Sequence, residues 1–178
     1  MSYHDYLTGL YNRRFYAEEL KRLDTPRNLP LTLAVGDING LKLVNDSFGH
    51  VAGDRLLKTV SEIFKEECRP DDITARIGGD EFVIILPKTD MNKAGEIISR
   101  IQKRVQNTNI ESVILSISFG CATKNAKNIK IEDVFNDSEN KMYRDKLYES
   151  NSVKSKMIEV SMQTLYKKTI RKPFTQNM

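Results

Sequence analysis

The chain has 178 residues, of which 39% are hydrophobic and 29% charged, so it is long and apolar enough for one domain with an appendage. It contains no run of about 18 apolar residues and no basic, apolar leader at its N-terminus, so we expect a cytoplasmic domain, whether or not its parent chain is membrane-anchored. The net charge of +4 arises at the C-terminus, since residues 151–178 contain six basic side chains and one acid. Residues 1–150 contain 22 basic and 23 acidic side chains and are therefore nearly neutral. This balance argues against a nucleic-acid-binding domain, which should carry a basic surface.

Hydrophobic periodicity predicts alternating helices and strands. The predicted elements are a helix at 12–23, a strand at 31–38, a polar segment with one helical turn at 39–50, a helix at 53–68, a hairpin at 73–77 and 82–86, a helix at 91–106, a strand at 112–123 and a helix at 131–148. Two helices carry apolar stripes that should face the core, namely Leu56, Leu57, Val60, Ile63 and Phe64, and Ala94, Ile97, Ile98, Ile101 and Val105. Helices interleaved with a hairpin predict an α+β fold.

The C-terminal segment differs from the rest in composition. Residues 152–168 contain neither glycine nor proline and predict a further helix. We therefore divide the chain into a domain at 1–150 and a basic helical extension at 151–178, expected to link to a missing module. Cys68 and Cys121 match no metal-ligand spacing, and a cytosolic protein should keep both as thiols, although a disulfide is the alternative.

The segment "RIGGDEFVIIL" (76–86) places two acids on a tight turn between two apolar runs. If the strand that ends at Asp37 pairs beside this hairpin, the carboxylates of Asp37 and Asp80 converge at one sheet edge, where they repel each other unless a cation lies between them. Oxygen ligands of this kind suit Mg²⁺. The glycines at 78 and 79 would let the backbone approach a ligand. The alternative is an ordinary hairpin turn, in which Gly and Asp are common.

The segment "DINGLKLVNDSFGHVAGD" (37–54) offers groups for phosphate and guanine. Backbone N–H groups near Gly40 and the charge of Lys42 suit phosphate oxygens. The amide of Asn45 and the carboxylate of Asp54 suit a guanine edge, whose adjacent N–H donors match one carboxylate. The alternatives are a surface loop with a solvated lysine, and Asp54 as the N-cap of the following helix.

Together these segments resemble the GGDEF domains, the diguanylate cyclases. "RIGGDEFVIIL" carries the signature of that family, and "DYLTGLYNRR", "DINGLKLVND", "FGHVAGD", "SISFGCA" and "NKMYRDK" resemble its other motifs in order. The resemblance covers residues 4–150. It implies an α+β fold with a central, mostly antiparallel five-stranded sheet flanked by helices, similar to the nucleotidyl cyclase and polymerase palm with its ferredoxin-like core.

The resemblance also implies a function. The family condenses two GTP into cyclic di-GMP with two Mg²⁺ (or Mn²⁺) per active site, and it needs a homodimer because each subunit holds one GTP. Carried over by position, the catalytic residues would be Asp37, Asp80, Glu81 and Lys42, the metal ligands Asp37, Ile38 (carbonyl) and Asp80, and the GTP-binding residues Gly40, Leu41, Lys42, Asn45, Asp54 and Lys146. Relatives that make a mixed AMP–GMP product have a serine where this chain has Asp54.

"RPDD" (69–72) matches the R-x-x-D inhibitory site of the family, where the product binds, with Arg69, Asp72 and a supporting Arg100. A guanidinium suits guanine and phosphate. The alternative is a helix-end turn with solvated charges.

The chain departs from the family at two functional segments. "DINGLK" has Asn39 where a second acid is common, and Ser150 stands where the family has an arginine near the triphosphate. A lost charged contact weakens binding by about 1–3 kcal/mol. The rival hypothesis is therefore a catalytically silent GGDEF domain that binds GTP or cyclic di-GMP and regulates an attached domain. In either case we expect sensor or output domains in a longer chain.

Overall fold

The computed structural model describes residues 2–110 and 113–170; residues 171–178 of the predicted extension lie outside that part. Helices and strands alternate along the chain. The elements are β1 (Tyr11–Asn12), α1 (Arg13–Leu23), β2 (Leu31–Asn39), α2 (Leu41–Phe48), α3 (His50–Glu67), β3 (Ile73–Arg76), β4 (Glu81–Leu86), α4 (Met91–Gln106), β5 (Asn109–Ile110), β6 (Val113–Ile114), β7 (Ser116–Lys124) and α5 (Ile131–Ile170).

Five strands form the main sheet in the spatial order β1-β3-β4-β2-β7. Only β1 and β3 run parallel, and the other neighbours are antiparallel. β5 and β6 form a separate two-stranded antiparallel sheet. The predicted α+β fold with a mostly antiparallel five-stranded sheet is confirmed.

The sheet is covered on both faces because the side chains of its central strands alternate in direction. One face, with Ala34, Ile38 and Phe82, packs against the apolar stripes of α3 and α4. The opposite face, with Leu33 and Val35, packs against α1 and the first turns of α5. All ten residues predicted to face the core from α3 and α4 are buried, so those two stripes are confirmed.

Three local predictions are wrong. Residues 41–48 form a helix of two turns instead of one helical turn, and the helix expected from residue 53 begins at His50. Gly49 adopts φ +86° between the two helices, a backbone conformation that glycine tolerates and that lets α3 start earlier. Residues 113–124 form two strands, β6 and β7, instead of one.

The chain divides by its internal packing into residues up to Lys146 and residues from Leu147 onward. α5 contributes to both units. No helix in the described ranges is both long and apolar enough to cross a membrane. Neither cysteine forms a disulfide.

Candidate active site

The two central strands bring the predicted acids together. Asp37, near the end of β2, pairs in register with Glu81, the first residue of β4. The N–H of Ile38 donates to the carbonyl oxygen of Asp80 at 3.0 Å. The three acids therefore share one edge of the sheet, as predicted from the strand that ends at Asp37.

Asp37 is the buried member of this group, with 5% of its surface exposed. Burial raises the pKa of its carboxyl, and the negative charges of Asp80 and Glu81 act in the same direction. The ammonium of Lys146 opposes them, since its Nζ donates to Asp37 Oδ1 at 2.6 Å. The site thus contains a buried carboxylate that is already paired with one cationic side chain, that of Lys146.

The turn before β4 is held from two sides. The N–H groups of Ile77 and Gly78 donate to the carbonyl oxygen of Glu81, and a Cβ at Gly78 would lie 2.8 Å from Glu81 Oε2. The guanidinium of Arg76 donates to the carbonyl oxygen of Gly79, at 2.8 Å from Nη2. Glycine at 78 therefore leaves the room that the Glu81 carboxylate occupies.

The same arginine connects this turn to the N-terminus. Arg76 Nη1 lies 3.1 Å from Asp5 Oδ1, and both side chains are mostly buried. Asp5 Oδ1 also accepts from the N–H and the hydroxyl of Thr8. Burial disfavours the charge on Asp5, but the bonds from Thr8 and Arg76 outweigh burial and lower its pKa. The motif around Asp5 was noted from the sequence, but this contact across the fold was not predicted.

α2 presents its N-terminus at the same end of β2. Gly40 precedes the helix with φ +86°, and no side chain caps it. The first N–H groups of a helix lack intrahelical partners, so those of α2 can meet an anion. Lys42 lies in this first turn and is exposed, while Leu41 packs partly against the core.

The Asn45 side chain of α2 contacts α3 at the residue that precedes Asp54. A Cβ at Gly53 would lie 1.9 Å from Asn45 Oδ1, so only glycine leaves room for this amide. The alternative role of Asp54 as N-cap is wrong, because Gly49 occupies that position and Asp54 lies inside α3. Its carboxylate is exposed.

Lys146 reaches Asp37 because α5 approaches the sheet closely. A Cβ at Gly120 of β7 would lie 2.0 Å from the carbonyl oxygen of Ser138, so only glycine permits this approach. Asp145 Oδ2 accepts from the N–H of Phe119 at 3.2 Å. The Phe119 ring in turn fills the space above Gly36, where a Cβ would lie 2.6 Å from it.

The predicted inhibitory residues lie at the end of α3 and on α4. Asp72 is buried, burial raises the pKa of its carboxyl, and its Oδ2 accepts from the N–H of Arg69 at 2.8 Å. The Arg69 side chain is 55% exposed. Arg100 Nε donates to Glu67 Oε2 at 2.8 Å, a partner that was not predicted.

The acids fit a hard divalent cation by their chemistry. Their oxygens are the ligands that Mg²⁺ prefers, and the ammonium beside Asp37 shows that the pocket stabilises positive charge. Within residues 2–110 and 113–170, no group of three or more His, Cys, Asp or Glu side chains is placed to hold a metal ion. Mg²⁺ is commonly held by one or two carboxylates together with substrate phosphates, and these residues match that mode.

Comparison with known proteins points to one family. Residues 2–152 match the family described as "Diguanylate cyclase, GGDEF domain". The probable diguanylate cyclase DgcT of Escherichia coli is 31% identical over 160 residues, which cover 86% of this chain and 35% of that protein. The diguanylate cyclase DosC of E. coli is 37% identical over 129 residues, covering 68% and 28%.

A solved structure gives the same result for the fold. The GGDEF domain of DgcB from Caulobacter crescentus, in complex with c-di-GMP, matches with a TM-score of 0.75 at 26% identity, covering 82% of this chain and 91% of that one. The present chain spans about a third of the length of the two curated relatives.

Proposed function

Because this chain belongs to the GGDEF domain family of diguanylate cyclases, we propose that it condenses two GTP molecules into cyclic di-GMP and releases two pyrophosphates. The observation that carries this proposal is the buried Asp37 carboxylate, paired with Lys146 and facing the Asp80–Glu81 turn. A structural ion pair alone would not require two further acids at the same edge. A site for a triphosphate and its divalent cation would.

Asp37, Asp80 and the carbonyl of Ile38 would hold Mg²⁺ or Mn²⁺, two ions per site, with Glu81 beside them. The chemistry that these ions supply when bound is polarisation of the phosphoryl oxygens and a lower pKa of the attacking 3′-hydroxyl. The proposed task of the three acids is to fix the position of positive charge at the α-phosphate.

The triphosphate would lie between α2 and α5. The N–H groups at Gly40 and Leu41 would donate hydrogen bonds to phosphate oxygens, and Lys42 would add a positive charge from the same turn. Lys146 would exchange its bond to Asp37 for a phosphate when the cation takes its place. The buried Asp37 carboxylate would thus be paired with a positive charge at every stage of binding, first that of Lys146 and then that of the divalent cation.

The base would lie between Asn45 and Asp54. The Asp54 carboxylate is exposed and can accept both guanine N–H donors, whereas adenine would present an acceptor to it. Asn45, whose side chain contacts Gly53, would supply the second polar group for the base.

Catalysis would require two copies of the chain. Each subunit would hold one GTP, and the two 3′-hydroxyls must each attack the other nucleotide, which a two-fold axis between facing sites permits. The product would then bind at Arg69, Asp72 and Arg100 and inhibit the enzyme. Guanidinium groups are suited to both guanine and phosphate.

The test is GTP turnover with Mg²⁺ at several concentrations of the chain, with nucleotides separated by chromatography. We expect cyclic di-GMP to form faster than linearly with protein concentration, and to disappear in Asp80→Asn. The matched control is Asp133→Asn, which removes an exposed acid in the first turn of α5. Equal turnover by Asp80→Asn and the control would overturn the proposal.

A silent domain is the second candidate, and one observation favours it. Ser150 stands where the family usually has an arginine near the triphosphate, so one charged contact to the triphosphate would be absent. GTP binding without product at every protein concentration would support this candidate, and Ser150→Arg should then tighten GTP binding by about tenfold.

A further inference from the structure

Glu67, at the end of α3, lies between two arginines of α4. Its Oε2 accepts from Arg100 Nε at 2.8 Å, and its Oε1 accepts from Arg104 Nη1 at 2.9 Å. Each carboxylate oxygen therefore has its own guanidinium. The Glu67 side chain is only 16% exposed, whereas those of Arg100 and Arg104 are 53% and 41% exposed, so the carboxylate is shielded but its two partners remain open to water.

The guanidinium groups of Arg69 and Arg100 differ in how readily they can bind an anionic ligand. Among the residues that the structure describes, the Arg69 side chain makes only long contacts, at 4.0 Å to Asp72 Oδ2 and 3.4 Å to Thr89 Oγ1. Arg100 is held by Glu67 through a short charged hydrogen bond. An anionic ligand can thus engage Arg69 at once, but it must displace a carboxylate to reach Arg100.

The groups concerned form one electrostatic cluster around Cys68. Burial and the charges of Asp72 and Glu67 together raise the pKa of the Cys68 thiol to about 12, against the opposing charges of Arg100 and Arg69. Glu67 precedes Arg69 by two residues and is hydrogen-bonded to Arg100, so its negative charge lies beside both arginines that would bind a phosphate.

We propose that Glu67 sets the product concentration at which inhibition begins, by competing with cyclic di-GMP for Arg100. The inference rests on the proposed function, since it assumes that Arg69, Asp72 and Arg100 bind the product. Glu67 lowers the affinity for the product in two ways: it occupies the donor of Arg100, and it places a negative charge beside the phosphates.

Titration calorimetry of cyclic di-GMP into the full chain tests this proposal. We expect Glu67→Gln to lower the Kd about two- to fivefold, the range expected for one charged pair at a partly exposed site. The matched control is Glu66→Gln, because Glu66 pairs with Arg104 and not with Arg100. It removes the same charge one residue away and should leave the Kd nearly unchanged. Arg69→Ala should abolish binding and so identifies the site.

The Arg100→Ala variant distinguishes competition for Arg100 from a simple loss of negative charge at Glu67. In Arg100→Ala, the further change Glu67→Gln should lose most of its effect on the Kd, since no contested donor remains. Thermal denaturation of each variant establishes that it is folded.

An equal effect of Glu66→Gln and Glu67→Gln, or weaker binding in Glu67→Gln, would overturn the inference. So would the absence of binding in both the wild type and Glu67→Gln. The proposed cyclase activity is judged separately, by turnover in Asp80→Asn.

Discussion

The Nζ of Lys146 lies 2.6 Å from Oδ1 of Asp37, so a lysine of α5 pairs with a carboxylate buried at the end of β2. Burial nevertheless keeps the pKa of Asp37 above its usual value of 3.8. The site thus contains a buried carboxyl group whose negative charge is only partly compensated by other groups of the protein. A divalent cation would complete that compensation.

The raised pKa of Asp37 gives a pH dependence. The folded chain binds a proton at Asp37 more tightly than the unfolded chain, so this group lowers the free energy of unfolding as pH rises from 3.8 through the folded pKa. Asp37→Asn, which resembles the neutral acid, should be more stable than the wild type above that window. The difference should vanish at lower pH. Urea titrations between about pH 3 and about pH 7 measure it.

Asp133→Asn serves as the control here as well, because its carboxyl is exposed. If Asp37→Asn were less stable than the wild type at neutral pH, the bond from Lys146 would outweigh burial, and the prediction would be wrong.

Gly53→Ala should weaken GTP binding without destabilising the fold. The new Cβ would displace the Asn45 side chain, while alanine favours the helix by about 1 kcal/mol over glycine. We expect at least about a fivefold higher Kd for GTP, equivalent to the loss of one hydrogen bond, with an unchanged or higher Tm.

Gly95→Ala is the matched control for this variant. Gly95 is also inside a helix, α4, but a Cβ there has nothing within 4 Å. It should raise the Tm and leave the Kd for GTP unchanged. Equal GTP affinity of both variants would show that Gly53 does not position Asn45.

Arg76 and Asp5 should be energetically coupled. Each is mostly buried, and each also binds the local backbone or hydroxyl groups of its own turn. A double-mutant cycle with Arg76→Ala and Asp5→Ala should give a coupling energy of about 1–3 kcal/mol in denaturant titrations. The exposed pair Arg14–Glu18, in the same cycle, should give less than about 1 kcal/mol.

Turnover of the Arg76 variant tests its link to the active site. Since its guanidinium holds the carbonyl of Gly79, we expect Arg76→Ala to lower kcat more than it raises KM for GTP. A change in KM alone would show that Arg76 contributes to GTP binding and does not position the turn at Gly79.

Asp54→Ser should reduce the preference for GTP over ATP. The carboxylate matches two guanine donors and opposes the adenine acceptor, and a hydroxyl does neither as strongly. We expect the ratio of kcat/KM for the two nucleotides to fall by about 10- to 100-fold. Asp46→Ser, on the exposed side of α2, is the control and should preserve the ratio.

The sequence was informative where a local pattern determines the structure. The stripes of α3 and α4 followed from spacing alone, and the edge shared by Asp37 and Asp80 followed from one assumption about strand pairing. The boundary between α2 and α3 was missed because it depends on the positive φ of Gly49, which no periodicity reveals.

Contacts between distant segments could not be predicted for a different reason. Arg76 with Asp5, and Glu67 with Arg100, join charged residues that look solvated when read singly. Which charged residues meet depends on how the helices and strands pack against one another, and a local sequence pattern does not contain that information. The motif at residues 5–14 was recognised from the sequence, but it singled out neither Asp5 nor its partner.

The contact between Gly36 and Phe119 has an evolutionary consequence. The aromatic ring occupies the place of a side chain at position 36, one residue before Asp37. Among homologous chains, a larger residue at 36 should therefore occur only with a smaller one at 119. These two positions should covary, and chains that break the pairing should also have altered residues at the acidic sheet edge.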